Sequence, residues 1–502
     1  MTLRPPCFFF TVATAWLTIV VPVVASDLEK PRETKGLQTL NHKSICVAQL
    51  SPAFNRLATR PSLQRARVGV LVRPLQSKQA LYAREAGQLF LPASTTKVLT
   101  TAAALTALGP DYRIQTSVYG AGKAPTLNSV KIVGRGDPNF SDKDLKDIAQ
   151  TLSQKGVRRI RTLVGDDTFF KGAAVVPSWE WEDLQAGWGA VVNSLMVNEN
   201  AYEVRLYPQA VGQPLRLEWQ LHEPTIPWRL INRSRTVTNQ EPEFTEIVRR
   251  LNQGVLEIEV FGQLRAGGDS DRSWIAVVDP GQYFLRRFQA QLQSEGIKVD
   301  KITLISEASQ EIASDAASEV LATVESPPLS ELIYTINRDS NNQYAEAVLK
   351  TLASQKPSNS TAQTNTPTLD QGLQVLKETL TKLGVDPATY EISDGSGLSR
   401  HNLVSPEALV QTLQAMDRSP HAEVFRNSLR PRELKGLPPG MVLTKTGSMT
   451  GVSALSGYIR GADFAPLAFS IFVNQYNQSR SELNPLLDDM VMLLARLKNC
   501  SS

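Results

Sequence analysis

The chain has 502 residues, 42% hydrophobic and 20% charged, with 53 Lys and Arg against 49 Asp and Glu for a formal net charge of +4. That length supports two or three domains around a sizeable core, and the composition excludes a disordered or fibrous chain. A near-neutral balance with no basic block excludes the profile of a nucleic-acid binder, and the four histidines lie far apart.

The N-terminus carries Arg4, an almost unbroken apolar stretch from Cys7 to Val24, and the small-residue run Val23-Val24-Ala25 before Ser26-Asp27. This is the layout of a secretory signal peptide over residues 1–25. A retained membrane anchor is the competing reading, because the stretch is near a bilayer-spanning length; Pro22 and Ala25 favour cleavage. The chain is therefore expected to be exported, to a periplasm or cell envelope. Cys7 would leave with the signal, so Cys46 and Cys500 remain. An oxidising compartment permits a bridge between them, which requires the two termini to meet; two unpaired buried thiols are the alternative. No apolar segment directly precedes Cys46, so it is not a lipid anchor.

Residues from Ser26 to about Gln49 are polar and read as loosely structured. Val68–Val72 reads as a strand with Ala80–Tyr82 as its hairpin partner. Leu89-Phe90-Leu91-Pro92 leads into Ser94, and Lys97–Leu108 is a breaker-free helix ending at Gly109-Pro110, which sets Ser94 at a helix N-terminus. From Asp111 to Pro327 short alternating segments such as Ser129–Val133 and Leu256–Val260 indicate a mostly β region of one or two subdomains, with a helix at Asp144–Lys155. Helices are expected at Leu329–Asn337, Asn342–Leu352, Leu369–Leu383 and Pro406–Met416, and a surface loop at Gln355–Thr368. Strands follow at Met441–Thr446, Ala454–Arg460 and Leu467–Asn474, and a last amphipathic helix at Ser481–Leu497. The fold class is α+β: an antiparallel sheet with packed helices, built from residues 26–110 and 328–502 and interrupted by an insert at 111–327.

Three short motifs occur in order. In Ser94-Thr95-Thr96-Lys97 the helical spacing brings the lysine amine to the serine hydroxyl. A hydroxyl is a poor nucleophile until a base takes its proton, and a lysine serves only if burial or nearby cations lower its pKa. Lys445 is a candidate for such a cation. In Ser340-Asn341-Asn342 a second hydroxyl can relay a proton and the Asn342 amide can hold a substrate backbone. In Lys445-Thr446-Gly447, with Ser448 following, a lysine and a hydroxyl on a strand edge suit a carboxylate, and glycine allows close approach to the backbone. A backbone N–H there can meet an oxyanion. Each motif alone reads equally as a helix cap, a polar helix start or a strand end. Their order and setting after a signal-like segment form the signature of serine acyl-transfer enzymes that recognise penicillin.

The chain resembles the D-alanyl-D-alanine carboxypeptidase/endopeptidase family of low-molecular-mass class C penicillin-binding proteins, the peptidase S13 type. Leu91–Lys97 is similar to its nucleophile segment, Asp394-Gly395-Ser396-Gly397-Leu398-Ser399-Arg400 to another characteristic stretch, and the long insert is its architectural mark. The resemblance runs from about Leu50 to the C-terminus and is looser in the insert. It implies a β-lactamase/transpeptidase-like fold, no cofactor or metal, peptidoglycan stem peptides as substrate, and β-lactam antibiotics as covalent inhibitors; it sets no oligomeric state. It implies Ser94 as nucleophile, Lys97 as base, Ser340 and Asn342 in proton transfer and positioning, and Lys445, Thr446 and Gly447 toward the terminal carboxylate. The N–H groups of Ser94 and Ser448 would form the oxyanion hole. Trp179-Glu180-Trp181-Glu182-Asp183 is similar to the insert segment that faces the site. Asp183 would meet the ammonium of the stem peptide's diamino acid and Arg400 its carboxylate; a surface charge is the alternative for each.

Two departures stand out. Arg135 in Gly134-Arg135-Gly136-Asp137-Pro138 replaces a common glycine in a turn read as structural. Glu482-Leu483-Asn484 resembles the deacylating motif of class A β-lactamases but follows Lys445 instead of preceding it. The competing functions are a serine β-lactamase, disfavoured by the insert and the misplaced glutamate, and a non-catalytic wall-binding protein, disfavoured by the intact motifs.

Overall fold

A computed structural model describes residues 44–219, 228–306, 319–355, 366–461 and 463–500. The expected signal segment at 1–25, the polar stretch as far as 43 and most of the Gln355–Thr368 tract lie outside the described residues. The body from Ser44 onward forms one compact unit.

Its centre is a six-stranded antiparallel sheet in the order 430–431, 442–449, 452–459, 467–474, 67–74, 82–84. Two-residue alternation sends Val68, Val70, Val72, Phe469 and Ile471 to one face and Leu71, Ala468 and Phe472 to the other. Both faces are covered, so the strand Leu467–Asn474 is buried along its whole length. Helices α1 (Val47–Ala58) and α10 (Arg480–Ala495) cover the first face. The second carries α2 (Thr96–Leu108), α5 (Leu329–Arg338), α6 (Asn342–Thr351), α7 (Thr368–Lys382), α8 (Pro406–Arg418) and α9 (Ala422–Ser428). This is the expected α+β class.

Local differences have physical reasons. The chain around Gln49 is already helical: α1 starts at Val47, and Gln49 Oε1 accepts from Cys46 N at 3.0 Å, a reciprocal cap hidden in a polar stretch. The hairpin partner is Tyr82–Arg84 rather than Ala80–Tyr82, since Val72 pairs with Tyr82 and Val70 with Arg84. Cys46 and Cys500 are bonded as a disulfide with their Cα atoms 5.6 Å apart. Beside it Ile45–Cys46 pairs in parallel with Leu497–Lys498, so the ends of the described chain do meet.

Between α2 and α5 the chain builds other sheets. A five-stranded sheet runs 298–305, 159–166, 126–133, 115–123, 319–325. Its first three strands are parallel, with α3 (Asp142–Gln154) and α4 (Pro280–Ser294) packed over its core. Strands predominate in this region, as the alternating segments indicated, with α4 as a second helix beside the expected α3. A three-stranded sheet (271–276, 201–207, 216–219) and a four-stranded sheet (228–232, 235–237, 244–252, 255–265) share a separate core around Val204, Leu206, Ile258 and Val260. Among the described residues no helix is long and apolar enough to cross a membrane.

Candidate active site

Helix α2 is buried on every side from Thr96 to Leu105, which is why its sequence lacks a polar face. Residues Ala93–Thr95 form a tight turn ahead of it, with Ala93 at φ 46°. Ser94 stands on this turn, partly exposed, and Lys97 lies one turn on, fully buried. Lys97 Nζ donates to Ser94 Oγ at 2.9 Å, Asn342 Oδ1 at 2.7 Å and the Ser396 carbonyl at 2.6 Å. Burial pushes the ammonium pKa down to about 7, against the opposing pull of the Asp394 and Glu346 carboxylates. Of the two causes the sequence left open, burial and a neighbouring cation, burial leads. Near neutral pH the amine is therefore substantially deprotonated and able to accept the Ser94 proton.

Ser340 precedes α6 in a left-handed conformation, φ 59°, uncommon for a non-glycine residue. Asn341 caps the helix by accepting from Tyr344 N at 3.0 Å. Ser340 Oγ accepts from Lys445 Nζ at 2.8 Å, and the same ammonium donates to the Thr446 carbonyl at 2.8 Å. Burial first, then the neighbouring Lys97 and Arg430 cations, hold Lys445 well below the ordinary lysine range. Gly447 lies tightly against the nucleophile turn: a side chain there would come within 2.5 Å of the Pro92 carbonyl oxygen, 2.9 Å of Thr95 N and 3.0 Å of Ser94 N. The strand backbone is thereby held against the Ser94 amide.

These groups meet a cleft of about 710 Å³ lined by Ser94, Ser340, Asn342 and Ser448, and by Asp183 and Arg400 at its insert side. Lys97, Lys445, Thr446 and Gly447 are not among the lining residues. The two lysines lie beneath the floor, Gly447 is buried and Thr446 is exposed. Arg400 pairs with Glu180 Oε1 at 2.9 Å and reaches the Thr450 carbonyl at 3.4 Å. Asp183 accepts from Trp188 Nε1 at 3.2 Å; partial burial raises its pKa, and Glu180 and Glu182 add to the rise.

The sequence reading missed the residues that hold this arrangement. The Asp394 carboxylate is fully buried and accepts from Gly397 N and Asn402 Nδ2 on one oxygen, and from Ser399 N and Trp179 Nε1 on the other. Glu346 Oε1 accepts from Gly395 N and Ser396 N. Together they fix the loop that presents the Ser396 carbonyl to Lys97. The available signal was a charged pair, Glu346 and Lys350, on an otherwise apolar helical run. Asn342 Nδ2 also donates to the Trp188 carbonyl at 2.9 Å, tying the second motif to the insert. Glu482, by contrast, caps α10 by accepting from Ser479 N at 2.9 Å, which accounts for the Glu482-Leu483-Asn484 run structurally. Gly136 (φ 75°) and Gly134 pack against Phe170 and the Ser194 carbonyl, where side chains would overlap, as a structural turn requires.

Comparison with known proteins agrees with this geometry. Residues 50–497 match the model of the "D-Ala-D-Ala carboxypeptidase 3 (S13) family". A D-alanyl-D-alanine carboxypeptidase of Actinomadura sp. (strain R39) is 31% identical over 455 residues, 86% of this chain and 82% of that protein. A penicillin-sensitive carboxypeptidase A of Dictyostelium discoideum is 28% identical over 443 residues, 82% of each. The crystal structure of penicillin-binding protein 4 from Haemophilus influenzae superposes with a TM-score of 0.72 at 23% identity, covering 90% of this chain and 98% of that one, and so shares the fold. The chain belongs to the D-Ala-D-Ala carboxypeptidase 3 (S13) family and is a serine-type D,D-peptidase.

Proposed function

We propose that the protein removes the terminal D-alanine of peptidoglycan stem peptides, and cuts D,D-cross-links, through an acyl-enzyme on Ser94. The carrying observation is the buried Lys97 amine, 2.9 Å from Ser94 Oγ, with its pKa pushed down to about 7. Neutral Lys97 takes the Ser94 proton as Oγ attacks the carbonyl carbon of the penultimate D-alanine. The oxyanion is met by the N–H groups of Ser94 and Ser448. As the C–N bond breaks, the proton held on Lys97 passes by way of Ser340 Oγ, which Lys445 holds, to the leaving amine; D-alanine departs and Lys97 is neutral again. A water then gives its proton to Lys97, attacks the ester, and releases the shortened peptide and free Ser94. Asn342 positions the lysine and the substrate backbone, while Lys445, Thr446, Gly447 and Ser448 favour the terminal carboxylate.

Asp183 and Arg400 sit where a stem-peptide side chain would leave the cleft. Asp183 suits its ammonium, and the Arg400–Glu180 pair must open or be shared for Arg400 to meet its carboxylate. Penicillin acylates the same serine as a substrate mimic, and the engagement of Glu482 as a helix cap gives no support to rapid β-lactam turnover. The N-terminal segment and the Cys46–Cys500 disulfide favour an exported enzyme of the periplasm or envelope. The test is D-alanine release from a stem pentapeptide by wild type and Ser94→Ala, with mass measurement of the penicillin adduct. Equal release by both proteins would falsify the assignment of Ser94.

A further inference from the structure

A second cavity of about 610 Å³ lies away from Ser94, between the three-stranded sheet and helices α3 and α4. One wall is a face of that sheet, where Trp274 stands opposite Glu203 and Glu218 opposite Arg205. Facing it are Tyr283 and Arg287 of α4. Trp274 is 48% exposed, an unusual position for so large an apolar ring.

Around the cavity four carboxylates, Asp142, Glu199, Glu203 and Glu218, stand against two guanidiniums, Arg205 and Arg287. Arg287 makes a two-pronged pair with Asp142, which also accepts from Asn198 Nδ2 at 2.9 Å. Arg205 Nε holds Glu203 at 2.6 Å, and Glu199 Oε2 accepts from Asn341 Nδ2 at 2.7 Å. Such a cavity offers an aromatic face and many hydrogen-bonding edges, with acceptor carboxylates in excess. It therefore selects against an anionic peptide and suits a neutral polyhydroxyl ligand, whose C–H face lies on the indole and whose hydroxyl and amide donors meet the carboxylates.

A short segment, Gly187-Trp188, connects the cavity's surroundings to the cleft. Gly187 packs directly on Trp274, with no room for a side chain, and the adjoining Trp188 lines the cleft and receives the Asn342 amide. Asn198 and Glu199 line the cavity, and with the buried Asn200 they form three consecutive non-glycine residues at φ 50°, 55° and 55°. That is a strained stretch of the kind kept where it is needed, and through Asn341 it touches the residue beside Ser340.

We infer that this cavity is a second binding site, taking a segment of N-acetylated hexosamine chain, the sugar polymer to which a stem peptide is attached. The inference rests on the proposed D,D-peptidase function only for why such a chain is at hand. The site would anchor the glycan while its peptide enters the cleft.

The probe is tetra-N-acetylchitotetraose, which carries no peptide, titrated into the full protein by calorimetry. Wild type should bind it in the micromolar to millimolar range. Trp274→Ala should weaken binding at least about tenfold and Glu218→Gln severalfold, while Arg400→Ala in the cleft leaves it unchanged. Trp274 is half-exposed and Glu218→Gln is near-isosteric, so circular dichroism should report folded proteins; the glutamine variant carries the test if the alanine variant does not fold. No binding by wild type overturns the inference. So does binding that both cavity variants leave unmoved, or that Arg400→Ala removes. D-alanine release from a free pentapeptide, measured on the same preparations, reads the proposed activity separately: release without sugar binding sinks the second site alone.

Discussion

The carboxylate of Glu346 accepts hydrogen bonds from two successive backbone N–H groups, Gly395 at 2.9 Å and Ser396 at 2.8 Å. The Ser396 carbonyl, on the same loop, accepts from Lys97 Nζ at 2.6 Å. Glu346 touches neither Ser94 nor the cleft and acts by placing an acceptor for the proposed base. When ionised it also opposes the fall in the Lys97 pKa, although burial and the Asp394 carboxylate raise its own pKa to about 7. In Glu346→Gln one oxygen still accepts both N–H groups, but the charge is gone. The ascending limb of the kcat/KM profile should then move to lower pH, by about half a unit. Glu346→Ala removes the anchor altogether and should cost about 2–4 kcal/mol in urea unfolding. An unmoved profile in the glutamine variant would show that Glu346 is only a structural brace.

The wild-type profile has a defined sign. Lys97 must be neutral to take the Ser94 proton, and its pKa is pushed down to about 7. D-alanine release and penicillin acylation should therefore both rise as pH passes upward through about 7 and level off above it. Stability follows the same direction. Between that folded value and the ordinary lysine value of 10.5 the unfolded chain binds more protons than the native one, so this residue favours folding increasingly as pH rises across the window. Lys97→Arg keeps a cation that does not deprotonate, and should lower both rates by roughly 10²–10⁴-fold. A pH-independent rate between pH about 6 and about 8 would contradict the role of Lys97.

What could be read from the sequence and what could not divide along a physical line. Ser94–Lys97, Ser340–Asn342 and Lys445–Gly447 are contiguous runs whose spacing alone places groups on one helix turn or strand edge. Leu467–Asn474 emerged with its observed bounds because a largely apolar run ends at Asn474 and Gln475 turns the chain at φ 60°. The supporting residues arrive from far along the chain. Trp188 reaches Asn342 across 154 positions and Trp179 reaches Asp394 across 215. No local pattern marks such pairs. The strand 126–133 was legible from its alternation at Ser129–Val133, but its parallel pairing with 159–166 was not, because the partner strand lies far along the chain.

Gly397 links backbone strain to the nucleophile. It sits at φ 84°, and a side chain there would overlap the carbonyl oxygen of Ala93, immediately before Ser94, and come within 2.9 Å of Thr96 Oγ1. Gly397→Ala should therefore displace the nucleophile turn. We expect a loss of about 2–4 kcal/mol in stability and a fall in kcat larger than any change in KM. Gly436 is the internal control: its φ is 87°, but nothing lies within 4 Å of an added Cβ. Gly436→Ala should cost only about 1 kcal/mol and leave kcat untouched. Similar kinetic damage in both variants would mean that backbone strain, and not contact with Ala93, is responsible.

The Cys46–Cys500 disulfide spans a sequence separation of 454 residues and closes the sheet face opposite α2. It reinforces contacts that exist without it. Ile45 N donates to the Arg496 carbonyl at 3.0 Å, and Leu50, Phe54 and Leu57 of α1 share a core with Leu487, Met490 and Val491 of α10. The native packing should therefore survive loss of the bond, and the chief effect should come from the greater freedom of the unfolded chain. Replacing both cysteines by serine is expected to lower stability by about 2–4 kcal/mol. Because α2 and Ser94 lie across the sheet, kcat/KM for D-alanine release should be unchanged at 25 °C. Thermal melts with and without reductant separate the causes: reductant should lower the wild-type transition toward that of the double variant and leave the variant's own transition in place. A variant that melts with the wild type would show that the packing of α1 on α10 already holds the termini in the ensemble that matters. A variant that loses activity while still folded would show that this face of the sheet is coupled to the nucleophile turn.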